Sequence, residues 1–163
     1  MSEHPMRYYS DRQEKAIAEY LGWRVVPASG ARPFDKGDIT SDEYVGECKT
    51  KTVPTSRIEF RYTHFDKICT EAQAAMKRPA LFTDDGTQKP DHTFVMVSRT
   101  LCNGIAERPG YIQAVRISPT KLSFDPAALN LPVGVGFRVK FGCHDTIIMR
   151  LETFRMLISG DLP

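Results

Sequence analysis

"KGDITSDEYVGECKTK", residues 36 to 51, sets two acids and a lysine at a defined spacing: Asp38, then Glu47, then Lys49 with only Cys48 between them. Tyr44 to Lys49 follows the polar turn "TSDE" (40 to 43) and reads as a strand. Side chains alternate along a strand, so Val45, Glu47 and Lys49 share one face while Tyr44, Gly46 and Cys48 share the other. A shorter strand starting near Asp38 or Ile39 would lie beside it, because the turn between them is short. Two carboxylates about 4 Å apart repel by roughly 4 kcal/mol at an effective dielectric of about 20, so such a pair demands a cation or a raised pKa. Mg²⁺ suits these ligands, since it takes carboxylate and carbonyl oxygens and keeps several waters. Lys49, on the face of Glu47, could hold an attacking water and offset charge building on phosphorus.

Upstream, Ser10 and Gln13 have capping-box spacing, and Ile17, Tyr20 and Leu21 recur at helical intervals, so the pattern predicts a helix over 11 to 21, stopped by Gly22. Glu14 shares a face with Ile17 and Leu21, whereas Glu19 lies roughly 140° further round and faces water. An acid on the packed side of a helix needs a reason, such as a metal contact or a hydrogen bond to a metal-bound water. "WRVVP" (23 to 27) suits a strand and "ASGARPFDKG" (28 to 37) a loop. Phe65, Ile68, Cys69, Ala72 and Met76 form one stripe, which predicts a second helix over 63 to 77 with Thr63 and Asp66 as its cap. "ALF" (80 to 82) and "TFVMVS" (93 to 98) bracket a polar turn as an antiparallel pair. "YIQAVRI" (111 to 117), "FRVKF" (137 to 141) and "TIIMRL" (146 to 151) read as strands, and "ETFRMLI" (152 to 158) as a helix. "DDGTQKPDH" (84 to 92), "CNGIAERPG" (102 to 110) and "SFDPAALNLPVGVG" (123 to 136) read as linkers.

The chain of 163 residues, 41% hydrophobic and 26% charged, has the composition of one globular domain. Its net charge of +2 permits a basic face without requiring one. There is no apolar run long enough for a membrane span and no signal-peptide pattern at the start, so a cytoplasmic protein without membrane contact is expected. The four cysteines are scattered singly, as reduced thiols would be.

Taken together, the helix with Glu14, the strand "WRVVP", the Ser/Gly loop, the pair Asp38-Ile39, the strand with Glu47-x-Lys49, the second helix and the hairpin resemble the PD-(D/E)XK nuclease core. Within that superfamily the chain is similar to archaeal-type and phage Holliday junction resolvases, over about residues 8 to 98. The resemblance implies an α/β (α+β) fold: a central mixed β-sheet flanked by helices, as in restriction endonucleases, with residues 103 to 163 as a β-rich C-terminal extension of uncertain role in a single domain. It implies Mg²⁺-dependent hydrolysis of DNA phosphodiester bonds, with Mn²⁺ able to substitute, by Asp38, Glu47 and Lys49 with Glu14 assisting. It also implies a homodimer, since symmetric cutting of a four-way junction needs two active sites. Gly37 departs from the proline of the family name, and residues from about 103 onward have no counterpart in the pattern.

Asp38 and Glu47 are thus the expected metal ligands, joined by the backbone carbonyl of Cys48, whose thiol packs behind the site, and by Glu14. Ser29, Arg32 and Lys36 in the preceding loop, and Lys51, Arg57 and Arg61 after the strand, are candidate DNA contacts. Cys143-His144 has no second ligand pair at zinc spacing and reads as a turn between strands. "GVGFRVKFG" (134 to 142) lacks the G-K-[ST] of a phosphate loop and reads as a hairpin. Met76, Met149 and Met156 are expected in the core or in helix packing. A sequence-specific restriction-type or DNA-repair endonuclease is the enzyme alternative. An inactive DNA-binding module of the same fold is the other.

Overall fold

The computed structural model describes residues 4–27, 36–102, 104–107 and 114–162. Ser29, Gly30 and Arg32 therefore lie outside the described residues, as does the start of the strand expected at 111 to 117. In chain order the elements are helix α1 (Met6–Leu21), strands β1 (Arg24–Val25), β2 (Ile39–Thr40), β3 (Tyr44–Lys49) and β4 (Ile58–Arg61), and helix α2 (Tyr62–Ala74). Next come strands β5 (Arg78–Asp84), β6 (Thr93–Ser98), β7 (Ala106–Glu107), β8 (Val115–Ile117) and β9 (Lys121–Phe124) and the short helix α3 (Pro126–Leu129). Strands β10 (Val135–Phe141) and β11 (His144–Arg150) and helix α4 (Leu151–Ser159) complete the chain.

The protein is an α/β protein whose eight-stranded mixed sheet runs β1-β2-β3-β5-β6-β11-β10-β7, with a separate three-stranded sheet β4-β9-β8. In the large sheet β3 runs parallel to β5, and β10 to β7. A parallel step needs a crossover, and β4 with α2 supplies the one between β3 and β5. Residues after 103 do not form a detached appendage: β11 pairs with β6, so the C-terminal hairpin continues the same sheet.

The alternation expected along β3 holds. Val45 packs with Phe65, Ile68 and Ala72 of α2 and with Phe60 and Phe124 of the small sheet. Tyr44 and Cys48 pack on the other face with Ile17 and Ala18 of α1 and Phe154 of α4. β11 splits the same way, with Ile148 in the first cluster and Ile147 and Met149 in the second. The sheet is thus covered on both faces, so its central strands carry apolar residues toward each.

Several local expectations are corrected. Helix α1 begins at Met6 behind Pro5, and Ser10 lies inside it, its hydroxyl bonded to the Met6 carbonyl at 3.4 Å, so the capping box is not formed. Helix α2 starts behind Arg61 with no side-chain cap, so Thr63 and Asp66 lie inside it. That helix ends at Ala74 rather than 77, and Met76 adopts a left-handed backbone (φ 56°) and is 93% exposed, which removes it from the core. A left-handed C-terminal turn closes the helix: the Lys77 N–H donates to the Ala72 carbonyl at 2.8 Å and the Met76 N–H to the Gln73 carbonyl at 3.1 Å. The Arg78 N–H then donates to the Glu43 carbonyl at 2.8 Å at the start of β5. Part of the expected linker 123 to 136 is structured: Phe124 of β9 is fully buried, and Asp125 caps α3 by accepting the Ala127 N–H at 2.9 Å. Strand β4, which sequence reading passed over as a basic stretch, buries Ile58 and Phe60. Among the described residues, no helix is long and apolar enough to cross a membrane.

Candidate active site

Where α1, β2, β3 and α2 converge, a cavity of about 320 Å³ is lined by Ser10, Glu14, Lys36, Gly37, Asp38, Glu47, Cys48, Lys49, Lys67 and Glu71. Its walls carry four carboxylates, Glu14, Asp38, Glu47 and Glu71, and three ammonium groups, Lys36, Lys49 and Lys67.

Asp38 is held by backbone before its side chain does anything. Its N–H donates to the Gly46 carbonyl at 2.8 Å, and its carbonyl accepts the Val26 N–H at 2.9 Å, so the residue is stitched between β1 and β3. Its Oδ2 accepts the Cys48 N–H at 2.8 Å, which ties the carboxylate to the middle of the Glu47-Cys48-Lys49 run. Gly37 makes this approach possible. It has φ +76°, and a Cβ there would sit 2.5 Å from Val45 Cγ1 and 2.9 Å from the Gly46 carbonyl oxygen. Proline, fixed near φ −65°, could not take this conformation.

Glu47 is 4% exposed, and its Oε1 lies 3.2 Å from Lys49 Nζ and 3.7 Å from Lys67 Nζ. Two ammonium groups thus bracket one buried carboxylate. Lys67 also lies 3.9 Å from Glu71 Oε1, one helical turn along α2. Burial pushes the Asp38 carboxyl up to about 6, with the Glu47 charge adding and the Cys48 amide opposing. Glu14 is pushed up to about 7, first by burial and then by the charges of Asp38, Asp11 and Glu47. The His64 imidazole, on the same helix as Lys67, is pushed down by burial and then by Lys49. Burial also drives the Cys48 thiol well above its usual range, and its side chain sits in the core cluster with α1.

Whether these residues suit a divalent ion is tested by what they leave unpaired. Among the described residues, the buried side-chain oxygens lacking a hydrogen-bond partner are Gln13 Oε1, Glu71 Oε2 and Asp84 Oδ2. Glu71 lines the cavity, and Gln13 donates to the Lys49 carbonyl at 2.6 Å, so two of these three lie at or beside the site. An all-oxygen donor set with mutually repelling carboxylates and an unpaired carboxylate oxygen fits a hard cation such as Mg²⁺.

Glu14, Asp38, Glu47, Lys49, Lys36 and the backbone neighbour Cys48 are therefore brought together as sequence reading expected. Lys51, Arg57 and Arg61 lie outside the lining and have protein partners: Lys51 Nζ donates to the Thr55 hydroxyl and the Arg57 carbonyl, Arg57 to the Ser123 hydroxyl, and Arg61 to Glu59. Lys67, Glu71 and Gln13 escaped sequence reading. Lys67 and Glu71 stand at i, i+4 beside the apolar stripe of α2 and look like an ordinary surface pair. Gln13, 1% exposed, pins the end of β3 rather than capping α1. A second pin holds the residue after Lys49: the Thr50 hydroxyl donates at 2.6 Å to Asp84, itself fully buried at the end of β5.

Comparison of the chain with protein-family models, with curated proteins and with solved structures finds no match.

Proposed function

We propose that the protein is a Mg²⁺-dependent, structure-selective DNA endonuclease of PD-(D/E)XK type that resolves four-way junctions by paired nicks. One observation carries this reading: Glu14, Asp38, Glu47 and Lys49, drawn from α1, the entry to β2, and β3, line a single cavity. Mg²⁺ would be held by Asp38 and Glu47 with the Cys48 carbonyl, and Glu14 would complete the set. When bound it supplies Lewis acidity toward a phosphate oxygen and relieves the repulsion among the acids. Mn²⁺, with similar ligand preferences, would substitute.

The chain's own groups do the remaining work. Lys49, oriented by Glu47, holds a water against the phosphorus and balances negative charge as it builds. Glu14, pushed up to about 7 by burial and then by the Asp38 charge, would give up its proton as the ion binds and take part as a carboxylate. Hydrolysis adds the water oxygen to phosphorus and breaks one P–O ester bond; the attacking water gives up a proton to solvent, and the departing sugar oxygen takes one up from solvent. Lys36 and Lys67 at the cavity wall contact flanking phosphates. Lys51, Arg57 and Arg61 have a lesser part, because each would have to give up a protein partner. Paired nicks require two cavities, so the working unit is a homodimer.

The test is cleavage of a four-way junction and of duplexes of matching sequence, side by side, with Mg²⁺ and with chelator. Symmetric nicks confined to the junction and dependent on metal are expected. Cutting of plain duplex would replace this reading with a restriction-type or repair endonuclease. Tight DNA binding without cleavage in either Mg²⁺ or Mn²⁺ would replace it with a non-catalytic DNA-binding module.

A further inference from the structure

The turn joining β10 to β11 assembles a second group of metal-ligating atoms, with different chemistry from the first. One ligand atom each from Asp66, Cys143 and His144 lies within 4.8 Å of the others. His144 Nε2 is 3.0 Å from Asp66 Oδ1, and the Tyr62 hydroxyl is 3.4 Å from Cys143 Sγ. The His144 ring is set edge-on to Phe65 at 5.0 Å and lies 5.6 Å from the Tyr62 ring, so its orientation is fixed by packing on α2. Gly142 (φ +61°) lets the turn close onto that helix, since a Cβ there would run into the Tyr62 ring.

These donors are a thiol, an imidazole and a carboxylate. Zinc binds all three, whereas Mg²⁺ and Ca²⁺ avoid thiolate. Nitrogen, oxygen and sulfur ligands about 2.0–2.3 Å from a tetrahedral zinc stand about 3.3–3.6 Å apart. The Asp66–His144 separation is already close to that, and drawing in the Cys143 side chain is a rotamer-scale movement. Cys143 and Asp66 are exposed, so an ion can enter without unfolding anything.

We propose that Asp66, Cys143 and His144 form a zinc site with three protein ligands and an open fourth position, clamping the β10–β11 hairpin onto α2. The Tyr62 hydroxyl supports the thiolate through its hydrogen bond. This site does not depend on the cavity being a nuclease. It would nonetheless tie the C-terminal hairpin to the helix that carries Lys67 and Glu71.

The decisive measurement is titration of the full chain with Co²⁺, a coloured stand-in for zinc, under a phosphine reductant. One thiolate-bound Co²⁺ per chain is expected, read from a thiolate-to-cobalt charge-transfer band in the near ultraviolet that saturates at one equivalent in excess Mg²⁺. The visible bands of tetrahedral cobalt accompany it, and zinc displaces the bound ion. An ion in the oxygen-lined cavity gives no such charge-transfer band. Cys143→Ser should abolish the charge-transfer band and weaken zinc at least about 100-fold, since a direct ligand should outweigh the supporting groups whose loss costs 10–100-fold. Because Cys143 is exposed, this variant should keep its circular dichroism. His144→Ala and Asp66→Asn should weaken binding, while Cys69→Ser and Glu47→Gln should leave the band intact. As a separate readout, zinc should raise the melting temperature of the parent chain and not of Cys143→Ser. No charge-transfer band in folded protein, or a band that survives Cys143→Ser, would overturn the assignment. So would loss of the band in Cys69→Ser.

Discussion

The acidic cavity and the Asp66–Cys143–His144 cluster both draw on α2, and they handle charge in opposite ways. In the cavity, burial first and neighbouring negative charge second hold Asp38 and Glu14 up at about 6 and 7. In the cluster the groups are more exposed and satisfy one another, His144 with Asp66 and Tyr62 with Cys143. Buried like charges cost free energy, so the cavity's acids stand to gain from a cation, whereas the groups of the cluster already pair with one another. The donors differ as well: hard oxygens in one, and a thiol with an imidazole in the other.

The largest expected effect separates the two regions by function. Asp38→Asn or Glu47→Gln should lower the rate of junction nicking by at least about 1,000-fold while DNA affinity stays within a few-fold, measured by gel cleavage and fluorescence anisotropy. Either purified variant cutting at the parent's rate would sink the proposed roles. Smaller but still large is the backbone effect. Gly37→Ala should cost about 2–4 kcal/mol in urea unfolding, from the left-handed φ together with overlap on Val45 and the Gly46 carbonyl. Gly142→Ala should cost less, about 1–3 kcal/mol, because the Tyr62 ring it meets can swing aside where a strand carbonyl cannot. Equal costs would mean the strand and the turn yield alike.

Acidity sharpens the comparison next. The folded carboxyls of Asp38 and Glu14 lie above their unfolded values, so folding favours their protonated forms. The stability this contributes is present below about pH 4 and is lost as the pH rises through about 6 and 7. Metal-free protein should therefore lose melting temperature between those limits, and Mg²⁺ should restore it. Apparent Mg²⁺ affinity should rise by up to roughly tenfold per pH unit between about 6 and 7, where Glu14 alone releases a proton, and by up to roughly a hundredfold per unit below about 6, where Asp38 releases a second. A Mg²⁺ affinity flat from pH 5 to 7 by calorimetry would contradict this picture of the acids. Smallest is Lys67→Gln, which leaves Glu47 with Lys49 alone. Turnover should fall about tenfold, with the cobalt spectrum of the neighbouring cluster unchanged, since only one of two partially exposed ammonium groups is lost.

Much of the cavity was legible because its chemistry is local in sequence. Asp38, Glu47 and Lys49 fall within twelve residues, and the two-residue period of a strand decides which of them face the same way. Glu14 was legible because helical periodicity sets it beside Ile17. Lys67, Glu71 and Gln13 were not, since nothing in their surroundings in the chain separates a cavity wall from a solvated face. Met76 misled for a related reason: helical spacing continues through it, but the backbone turns left-handed there and the Lys77 N–H closes back on the Ala72 carbonyl. The zinc-type cluster was hidden more thoroughly. Cys143-His144 lacks a partner nearby in sequence, and Asp66, the third member of the cluster, lies 78 residues from His144.

By itself, then, the amino-acid order determined the strands and helices that carry strong periodicity, the inward face of β3, and the short-range acid and lysine pattern. These follow from bond geometry and the burial of apolar side chains over a few residues. Tertiary structure alone decided that the C-terminal hairpin joins the main sheet beside β6, that Lys67 and Glu71 complete the cavity, and that Asp66 meets Cys143 and His144. Contacts of that kind depend on how faces of distant elements pack together, and the faces of a short strand or a helix do not name their partners.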